Sequence, residues 1–375
     1  MASRMEQGPR PPGFPGAKQQ TKTNNNSDIT MKMAKKGVDK KVTLVDVAAI
    51  AGVSAITVSR VINQPEKVSE ILRQQVQKAI DSLGYIPNQF ASSLASAKSR
   101  VVGVAIPSLT NIVFTDVLRG IYDVLGATGY KVLMVDTHYS ALEEEKMVRT
   151  LLSQAPEAMI ITGGGQTKAC QQLLQKAHIP IVQIMELLEE PLDMNIGFSH
   201  WQAGYDVAKY LLSQGYNRPG FIGARMDTRV QQRLRGYRAG LEEAGVYQDA
   251  YIATSLDPSS IGLGGQLFRR LMSASGGHLD AVFCANDDLA LGALFESQRM
   301  HITVPHSLAI CGFNDIEAAT YVNPSLTSVW VGRYEMGVKA AEMILDCISH
   351  GKKPAQKMVD MGYQIKERDS TRQRR

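Results

Sequence analysis

The chain has 375 residues, of which 44% are hydrophobic and 21% charged, and this is the composition of an ordinary globular protein with two or three domains. Its four scattered cysteines argue against a disulfide framework or a zinc site, and no apolar run has the length of a membrane span or the character of a secretion signal. We therefore expect a cytoplasmic protein that needs no cofactor or metal.

The charge is divided unevenly along the chain. Residues 1–100 carry 15 Lys and Arg against 7 Asp and Glu, a net charge of +8, whereas residues 101–375 carry 26 against 29, a net charge of −3. This asymmetry favours a nucleic-acid-binding module joined to a second domain. Residues 1–40 are rich in Pro, Gly, Gln, Asn and Lys, which cannot bury enough apolar surface to become ordered, so we expect a disordered arm there.

Residues 41–86 have the pattern of a helix-turn-helix unit. Thr43 is a good N-cap for a short helix over residues 44–50, whose apolar side chains recur at helical spacing. Gly52 stands where the chain must turn sharply, because glycine adopts positive φ without steric cost. Ser54 then caps a second helix, the one that enters the major groove in proteins of this kind.

The second helix runs to about Asn63 and carries small or polar side chains on its outward face. These outward residues are Ala55, Ile56, Thr57, Ser59 and Arg60. Arg60 suits a guanine edge, the two apolar residues suit a thymine methyl group, and the hydroxyls suit bases or phosphates. A third helix, capped by Ser69 and ended by Gly84, completes the unit. The alternative is a three-helix surface bundle whose Arg60 is only solvated.

Four phrases of this region, VTLVDVAAIAGVS, TVSRVIN, GYIPN and QFASSLA, resemble the DNA-binding headpiece of the lactose-repressor family. The resemblance implies that residues 87–99 form a hinge helix and linker that folds on operator DNA. In that hinge, Leu94 would insert into the minor groove between two base pairs, with Asn88 and Ala91 beside it. The predicted DNA-binding residues are thus Thr43, Ser54, Ala55, Ile56, Thr57, Ser59, Arg60, Asn63, Ser69, Asn88, Ala91 and Leu94.

From Val101 onward, strand-like runs alternate with amphipathic helices. The strands begin at Val101, Lys131, Ala158, Ile179, Pro219, Leu279 and Leu308. Nearly continuous apolar strands separated by helices indicate parallel sheets covered on both faces, and a segment of this length usually divides into two lobes. We expect residues 100–360 to form this two-lobed α/β domain, followed by a basic tail over residues 361–375.

Polar and aromatic side chains follow the predicted strands, at the edge where parallel sheets bind ligands. The candidates are Ser108, Asn111, Phe114, Glu186, Arg229, Arg233, Asn286 and Asn314. Such a set suits a polyhydroxylated ligand. The alternative for any one of them is that it caps the next helix, and for the neighbouring Asp287 and Asp315 we prefer the capping interpretation.

The resemblance to the lactose-repressor family extends from Val42 to about Val359. It implies an all-α headpiece joined by the hinge helix to a two-lobed effector-binding and dimerisation domain that shares its fold with periplasmic sugar-binding proteins. Arg233, before the Gly236–Tyr237 pair, and Asn286 match effector contacts of the family. Asn314 stands where sugar-binding relatives have Asp, so the chain departs from their pattern there.

That departure favours an acidic effector. Asn carries no charge and can donate a hydrogen bond, whereas Asp would repel a carboxylate. Arg229 lies one helical turn before Arg233, where sugar-binding relatives carry a small hydroxyl residue, and Arg binds carboxylates through two parallel hydrogen bonds. The phrases GVSAITVSRV, GARMDTRVQQRLRGY and GFNDIE resemble the gluconate-utilisation repressors of the family. The competing view is that Arg229 is a solvated surface residue.

The resemblance therefore implies a homodimeric repressor that binds double-stranded operator DNA and is released by gluconate or a related sugar acid. Two alternatives stay open, namely that the ligand is a corepressor and that it is a neutral sugar. A sugar-binding protein without DNA function would lack the headpiece. An enzyme is not expected, since GLGGQLF lacks the third glycine of a dinucleotide fingerprint and residues 163–165 lack the Lys of a phosphate-binding loop.

Overall fold

The computed structural model describes residues 42–86, 99–351 and 353–372. The predicted arm over residues 1–40 lies outside them, as does the predicted hinge with Asn88, Ala91 and Leu94. The chain divides into two compact units, one up to Ala95 and one from Ser96 onward.

The first unit contains three helices, α1 (Leu44–Ala51), α2 (Ala55–Asn63) and α3 (Glu70–Leu83), and a 3-10 turn at Pro65–Lys67. Thr43 and Asp46 form a reciprocal capping box at the start of α1. Gly52 ends α1 with a φ of +63°, and α2 leaves at a bend of 103°, within the usual range for a helix-turn-helix. The three helices therefore begin and end within one residue of the positions that the sequence predicted.

One predicted cap of this unit differs from expectation. Ser54 accepts a hydrogen bond from the Thr57 amide at the start of α2, as expected. Ser69 stands at the N-cap position of α3 with extended backbone, but its side chain makes no capping bond. The α3 helix is held instead by Val76 and Ala79, which pack into the shared core, and by Gln75, which donates to the Ala51 carbonyl.

The second unit consists of two lobes, each built around a six-stranded sheet. The sheet of the first lobe is parallel throughout and has the order β2–β1–β3–β4–β5–β11. Its strands are β1 (Val101–Ile106), β2 (Lys131–Asp136), β3 (Ala158–Thr162), β4 (Ile181–Ile184), β5 (Met194–Gly197) and β11 (Met358–Asp360). Its helices are α4 (Val113–Ala127), α5 (Ala141–Leu152), α6 (Lys168–Lys176) and α12 (Arg333–His350).

The sheet of the second lobe has the order β7–β6–β8–β9–β10–β12, and only its edge strand β12 is antiparallel. Its strands are β6 (Pro219–Gly223), β7 (Ile252–Thr254), β8 (Ala281–Cys284), β9 (Ala309–Asn314), β10 (Thr327–Trp330) and β12 (Gln364–Lys366). Its helices are α7 (His200–Ser213), α8 (Thr228–Glu243), α9 (Ile261–Ala274), α10 (Asp287–Arg299) and α11 (Glu317–Tyr321), with a 3-10 turn at Asp249–Tyr251.

All seven predicted strands are present, and the structure adds five shorter ones, β5, β7, β10, β11 and β12. These have three or four residues each, too few for a periodic pattern to stand out in the sequence. The predicted tail is wrong over residues 361–372. Residues 364–366 pair with β10, and Ser370 and Thr371 are fully buried against the second lobe.

Two absences concern the described residues only. Among them, no single helix has the length and apolar character of a membrane span, although the bent pair of α1 and α2 meets that test when taken together. No group of three or more His, Cys, Asp or Glu side chains in the same residues has the arrangement of a metal site. The four cysteines are all buried and unpaired.

Helices α4 and α12 of the first lobe cross with almost no space between their backbones. A Cβ atom on Gly120 would lie 2.3 Å from the Tyr334 carbonyl oxygen, and one on Gly337 would lie 2.0 Å from the Val117 carbonyl oxygen. Real Cβ atoms do not approach backbone so closely, so each glycine is required by the crossing. This crossing fixes the end of α12 that enters the cleft between the lobes.

We expect the change Gly337→Ala to destabilise the second unit by roughly 1–3 kcal/mol, because the added methyl group forces α4 and α12 apart. The melting temperature should fall by roughly 2–12 °C, as measured by circular dichroism. Gly126→Ala is the matched control, since a Cβ on this α4 residue would meet no atom within 4 Å. It should melt at or above the wild-type temperature because Ala favours a helix. Equal melting of both variants would contradict the assigned crossing.

Candidate nucleic-acid interface and ligand cleft

The outward face of α2 has the chemistry that the sequence predicted. Ile56 is 71% exposed and Arg60 is exposed, whereas Val58 and Val61 are buried in the core of the first unit. Ile62 is partly buried and packs against the same core. An exposed Ile beside an Arg is unfavourable for a plain surface helix but suits contact with base edges and thymine methyl groups.

Hydrogen bonds within α2 hold several of the predicted contact residues in place. The hydroxyls of Ser54 and Thr57 lie 2.9 Å apart, and the Asn63 amide donates to the Ser59 carbonyl at 2.9 Å. Ala55 is partly buried against the core of the unit. The face that remains for a partner is therefore centred on Ile56 and Arg60.

The cleft between the two lobes brings together most of the predicted ligand residues. Ser108, Asn111, Phe114 and Glu186 come from the first lobe, and Arg229 and Arg233 come from α8 of the second. The Arg229 guanidinium lies 5.8 Å from the centre of the Phe114 ring, across the cleft. Each residue follows the carboxyl end of a strand, as expected for parallel sheets.

Arg233 is the most deeply buried cation of the cleft. Its Nε donates to His200 Nδ1 at 3.1 Å, its Nη1 donates to the Ala285 carbonyl, and its guanidinium lies 3.6 Å from the centre of the Phe313 ring. Within the described part of the chain it forms no ion pair. Burial lowers the pKa of Arg233 to about 9, although the carboxylates of Asp227 and Asp287 nearby favour its charge. The site thus holds a positive charge with which no carboxylate pairs directly among the described residues.

His200, the first residue of α7, fixes the direction of Arg233. Because the Arg233 Nε can only donate, His200 Nδ1 must accept, and His200 Nε2 then donates to the Met185 carbonyl at 3.1 Å. Burial, reinforced by the charges of Arg233 and Arg229, lowers the pKa of His200 well below its usual value. The ring is therefore neutral, with its proton on Nε2.

Arg229 is not a solvated surface residue, since its side chain is 13% exposed. Its Nη2 pairs with Asp227 at 3.2 Å, while the other oxygen of Asp227 accepts from the Val230 amide and caps α8. Burial opposes the charge of Arg229, but Asp227, Tyr139 and Glu186 together raise its pKa. One carboxylate thus neutralises Arg229, and the rest of its guanidinium is available to a ligand.

Glu186 belongs to a buried polar network of the first lobe. Its carboxylate accepts from the Gly164 amide at 2.7 Å, and its carbonyl accepts from Asn195, which also bonds the Gln183 carbonyl. Glu186 itself is 8% exposed. The network holds this carboxylate at the cleft edge, where it can accept hydrogen bonds from ligand hydroxyls.

Three other predicted ligand residues either form hydrogen bonds within the protein or are only partly buried. Asn286 caps α10 through the Leu289 amide and bonds Ser259, which is the capping role we had weighed for it. Ser108 bonds the nearby Thr110 hydroxyl at 3.1 Å. Asn314 is partly buried with a φ of +106°, and its carbonyl accepts from Arg333.

The preferred capping roles of Asp287 and Asp315 are wrong. Asp287 accepts from the Ile316 amide and from the Ser328 hydroxyl, so it ties the loop after β9 to β10 rather than capping α10. Burial raises the pKa of this carboxyl to about 7. Asp315 pairs with Arg368 at 2.6 Å, within the segment that we had predicted to be a tail.

Tyr139, Arg225 and His200 were not among the predicted ligand residues. The Arg225 guanidinium lies 3.8 Å from the centre of the Tyr139 ring and Arg229 lies 5.8 Å from it. Tyr139 follows β2, so the rule that found the other residues, applied to this strand as well, would have found it. His200 follows β5, a four-residue strand that the sequence did not predict, so the same rule could not find it.

Comparison with known proteins gives the same two-part division. Residues 43–88 match the family model described as bacterial regulatory proteins, lacI family, and residues 208–371 match a periplasmic binding protein-like domain. The HTH-type transcriptional regulator GntR of Pseudomonas aeruginosa is 40% identical over 330 residues, which are 88% of this chain and 95% of that protein.

Two solved structures share the fold at similar coverage. A LacI-family transcriptional regulator from Silicibacter pomeroyi is 33% identical with a TM-score of 0.83, covering 88% of this chain and all of that one. The lac repressor dimer bound to operator and the anti-inducer ONPF is 25% identical with a TM-score of 0.75, covering 88% of this chain and 99% of that one.

The neutral His200 makes a prediction about pH. Its pKa is depressed in the folded state, so below about pH 6.5 the unfolded state binds the extra proton and stability falls. In His200→Gln the amide can accept from Arg233 and donate to Met185, but it does not titrate. We expect its melting temperature to fall less than that of the wild type between pH 7.5 and pH 5.5. His278→Gln, at an exposed site of the same lobe, should follow the wild type, and identical pH profiles for all three would refute the assignment.

Proposed function

The chain belongs to the LacI family of bacterial regulatory proteins, and from this premise we propose that it represses sugar-acid utilisation genes and is released from its operator by gluconate or a close relative. The family membership makes it a DNA-binding transcriptional regulator. The sugar acid, the residues that bind it and the direction of its effect are our proposal. Such a regulator acts on DNA in the cytoplasm.

The observation that carries the ligand proposal is the buried, unneutralised guanidinium of Arg233, with Arg229 one helical turn away. A buried cation without a counter-ion is costly, and an anionic ligand removes that cost. Neutral sugars would leave it in place. The buried rings of Phe114 and Phe313 lie beside the guanidinium groups of Arg229 and Arg233 and help to hold them in place.

For DNA, we propose that Ile56 and Arg60 contact base edges in the major groove. The polar residues of the unit would position α2 by contacts to the phosphate backbone of the DNA, and these are Thr43, Ser54, Thr57, Ser59, Asn63 and Ser69. Exposure of Ile56 and Arg60 on an otherwise well-packed α2 supports this assignment. The minor-groove roles of Asn88, Ala91 and Leu94 rest on the family resemblance alone.

We propose that the protein acts as a homodimer, which would present two headpieces to a pseudo-palindromic operator. Both lobes expose large apolar side chains, among them Tyr122 of the first lobe and Leu256 and Tyr321 of the second, the last two 84% and 79% exposed. Apolar surface of this kind supports burial against a second copy.

The direct test is isothermal titration of the purified protein with gluconate, glucose and hypoxanthine, repeated in the presence of operator DNA. An inducer-released repressor must bind gluconate more weakly on DNA, because the coupling between two ligands is reciprocal. Gluconate affinity that rises with DNA would make the ligand a corepressor. Binding of glucose or hypoxanthine instead would overturn the sugar-acid assignment.

We expect Arg229→Gln to weaken gluconate binding by roughly tenfold to a hundredfold, since a hydrogen-bonded charge pair contributes about 1.5–3 kcal/mol. Operator binding should be unchanged in the absence of ligand. Arg238→Gln is the control on the same helix, because Arg238 is exposed and paired with Glu242. Wild-type gluconate affinity in the first variant would remove Arg229 from the site.

We expect Arg60→Ala to lower operator affinity by about 1–3 kcal/mol and to reduce the preference for operator over random DNA, as measured by fluorescence anisotropy. Gluconate binding should be retained. Lys78→Ala removes the same charge from an exposed position on α3 and should leave the preference intact. Equal loss of preference in both variants would assign Arg60 a purely electrostatic role.

A further inference from the structure

Tyr139 lies at the point where the two lobes face each other. Its ring supports the Arg225 guanidinium at 3.8 Å and lies 5.8 Å from that of Arg229, both from the second lobe. The Arg225 face blocks one side of the ring, so Tyr139 has little freedom to turn. The phenol is therefore held beside the cations that the proposed function assigns to the ligand.

The hydrogen bond to Asn111 fixes what the Tyr139 hydroxyl can do. Asn111 Nδ2 donates to the Tyr139 oxygen at 2.7 Å, while Asn111 Oδ1 accepts from the Val113 amide at 3.1 Å, so the amide cannot be reversed. The hydroxyl accepts from Asn111 and must send its own proton elsewhere. No acceptor for that proton occurs among the residues that the structure describes.

We propose that the Tyr139 hydroxyl and the Arg229 guanidinium together form the carboxylate subsite of the cleft, and that Asn111 is a positioning residue rather than a ligand contact. This inference rests on the proposed function and names the part of the site that recognises the acid group. An O–H donor and an N–H donor on opposite lobes suit the two oxygens of one carboxylate. A ligand held this way bridges the lobes.

The charges around this subsite determine how many negative charges a ligand can carry into it. Arg225, Arg229 and Arg233 contribute three positive charges, and Asp227 and Glu186 contribute two negative ones, while His200 is neutral. The carboxyl of Asp287 also acts on Arg233 and is partly ionised near its pKa of about 7, so less than one positive charge is left in excess. The site therefore suits a polyhydroxylated monocarboxylate, and it disfavours a phosphorylated sugar acid, whose further charges would be desolvated without partners.

The test compares gluconate with its neutral amide, gluconamide, by isothermal titration to the full-length protein. In Tyr139→Phe, gluconate affinity should fall roughly tenfold to a hundredfold, and gluconamide affinity should change at most a few-fold, because only the charged acceptor gains strongly from the hydroxyl. Equal losses for both ligands, or none for gluconate, overturn the subsite. Tyr247→Phe, whose hydroxyl bonds Asp249 away from the cleft, is the control.

Asn111→Ala should also lower the ratio of gluconate to gluconamide affinity, and the double variant with Tyr139→Phe should be no worse than Tyr139→Phe alone. Additive losses would mean that Asn111 contacts the ligand itself. The wild type should bind 6-phosphogluconate at least tenfold more weakly than gluconate, and the reverse order refutes the charge argument. If the wild type binds no sugar acid, the proposed function is wrong. If the wild type binds gluconate and Tyr139→Phe binds it with the same affinity, only the inference about the subsite is wrong.

Discussion

The cleft depends on one constraint, the burial of the Arg233 guanidinium without a carboxylate. Such a charge is expensive to desolvate, and the protein compensates with a carbonyl acceptor, a neutral imidazole and an aromatic face rather than with a counter-ion. Each of the three holds the group in direction without cancelling its charge. The guanidinium is therefore held in one direction, and binding of the anion that we propose would require little reorganisation of the site.

The orientation of Arg233 also requires the close packing of α7 against α8. A Cβ on Gly236 would lie 1.8 Å from the Trp201 carbonyl oxygen, and one on Gly204 would lie 2.1 Å from that of Arg233. Only this contact brings His200, at the first turn of α7, within hydrogen-bonding distance of Arg233. His200 in turn reaches Met185 at the end of β4, so the cation of the second lobe is oriented by a bond that ends on the first.

Much of this architecture was predictable because the signals for it are local. Thr43, Ser54 and Gly52 predict the helix boundaries of the headpiece through their local capping and backbone preferences, and long apolar runs predict the strands of the sheets. Short strands such as β12 depend on pairing with a distant neighbour, which no local pattern records. Asp287 illustrates the same limit for the site, since the groups that donate to its carboxylate lie on β10 and on the loop after β9.

Side chains of the two lobes contact each other across the cleft, and these contacts bear on how an effector can act. Arg225 lies on Tyr139, and Arg333 at the start of α12 pairs with Asp116 at 3.0 Å and donates to the Asn314 carbonyl. A cation–π contact contributes about 0.5–2 kcal/mol, which is comparable to the 1–3 kcal/mol of a typical allosteric coupling. A ligand that bridges the lobes therefore acts on contacts of this strength. It has only to bind one lobe arrangement better than the other, and that difference in affinity is all that can be transmitted to DNA.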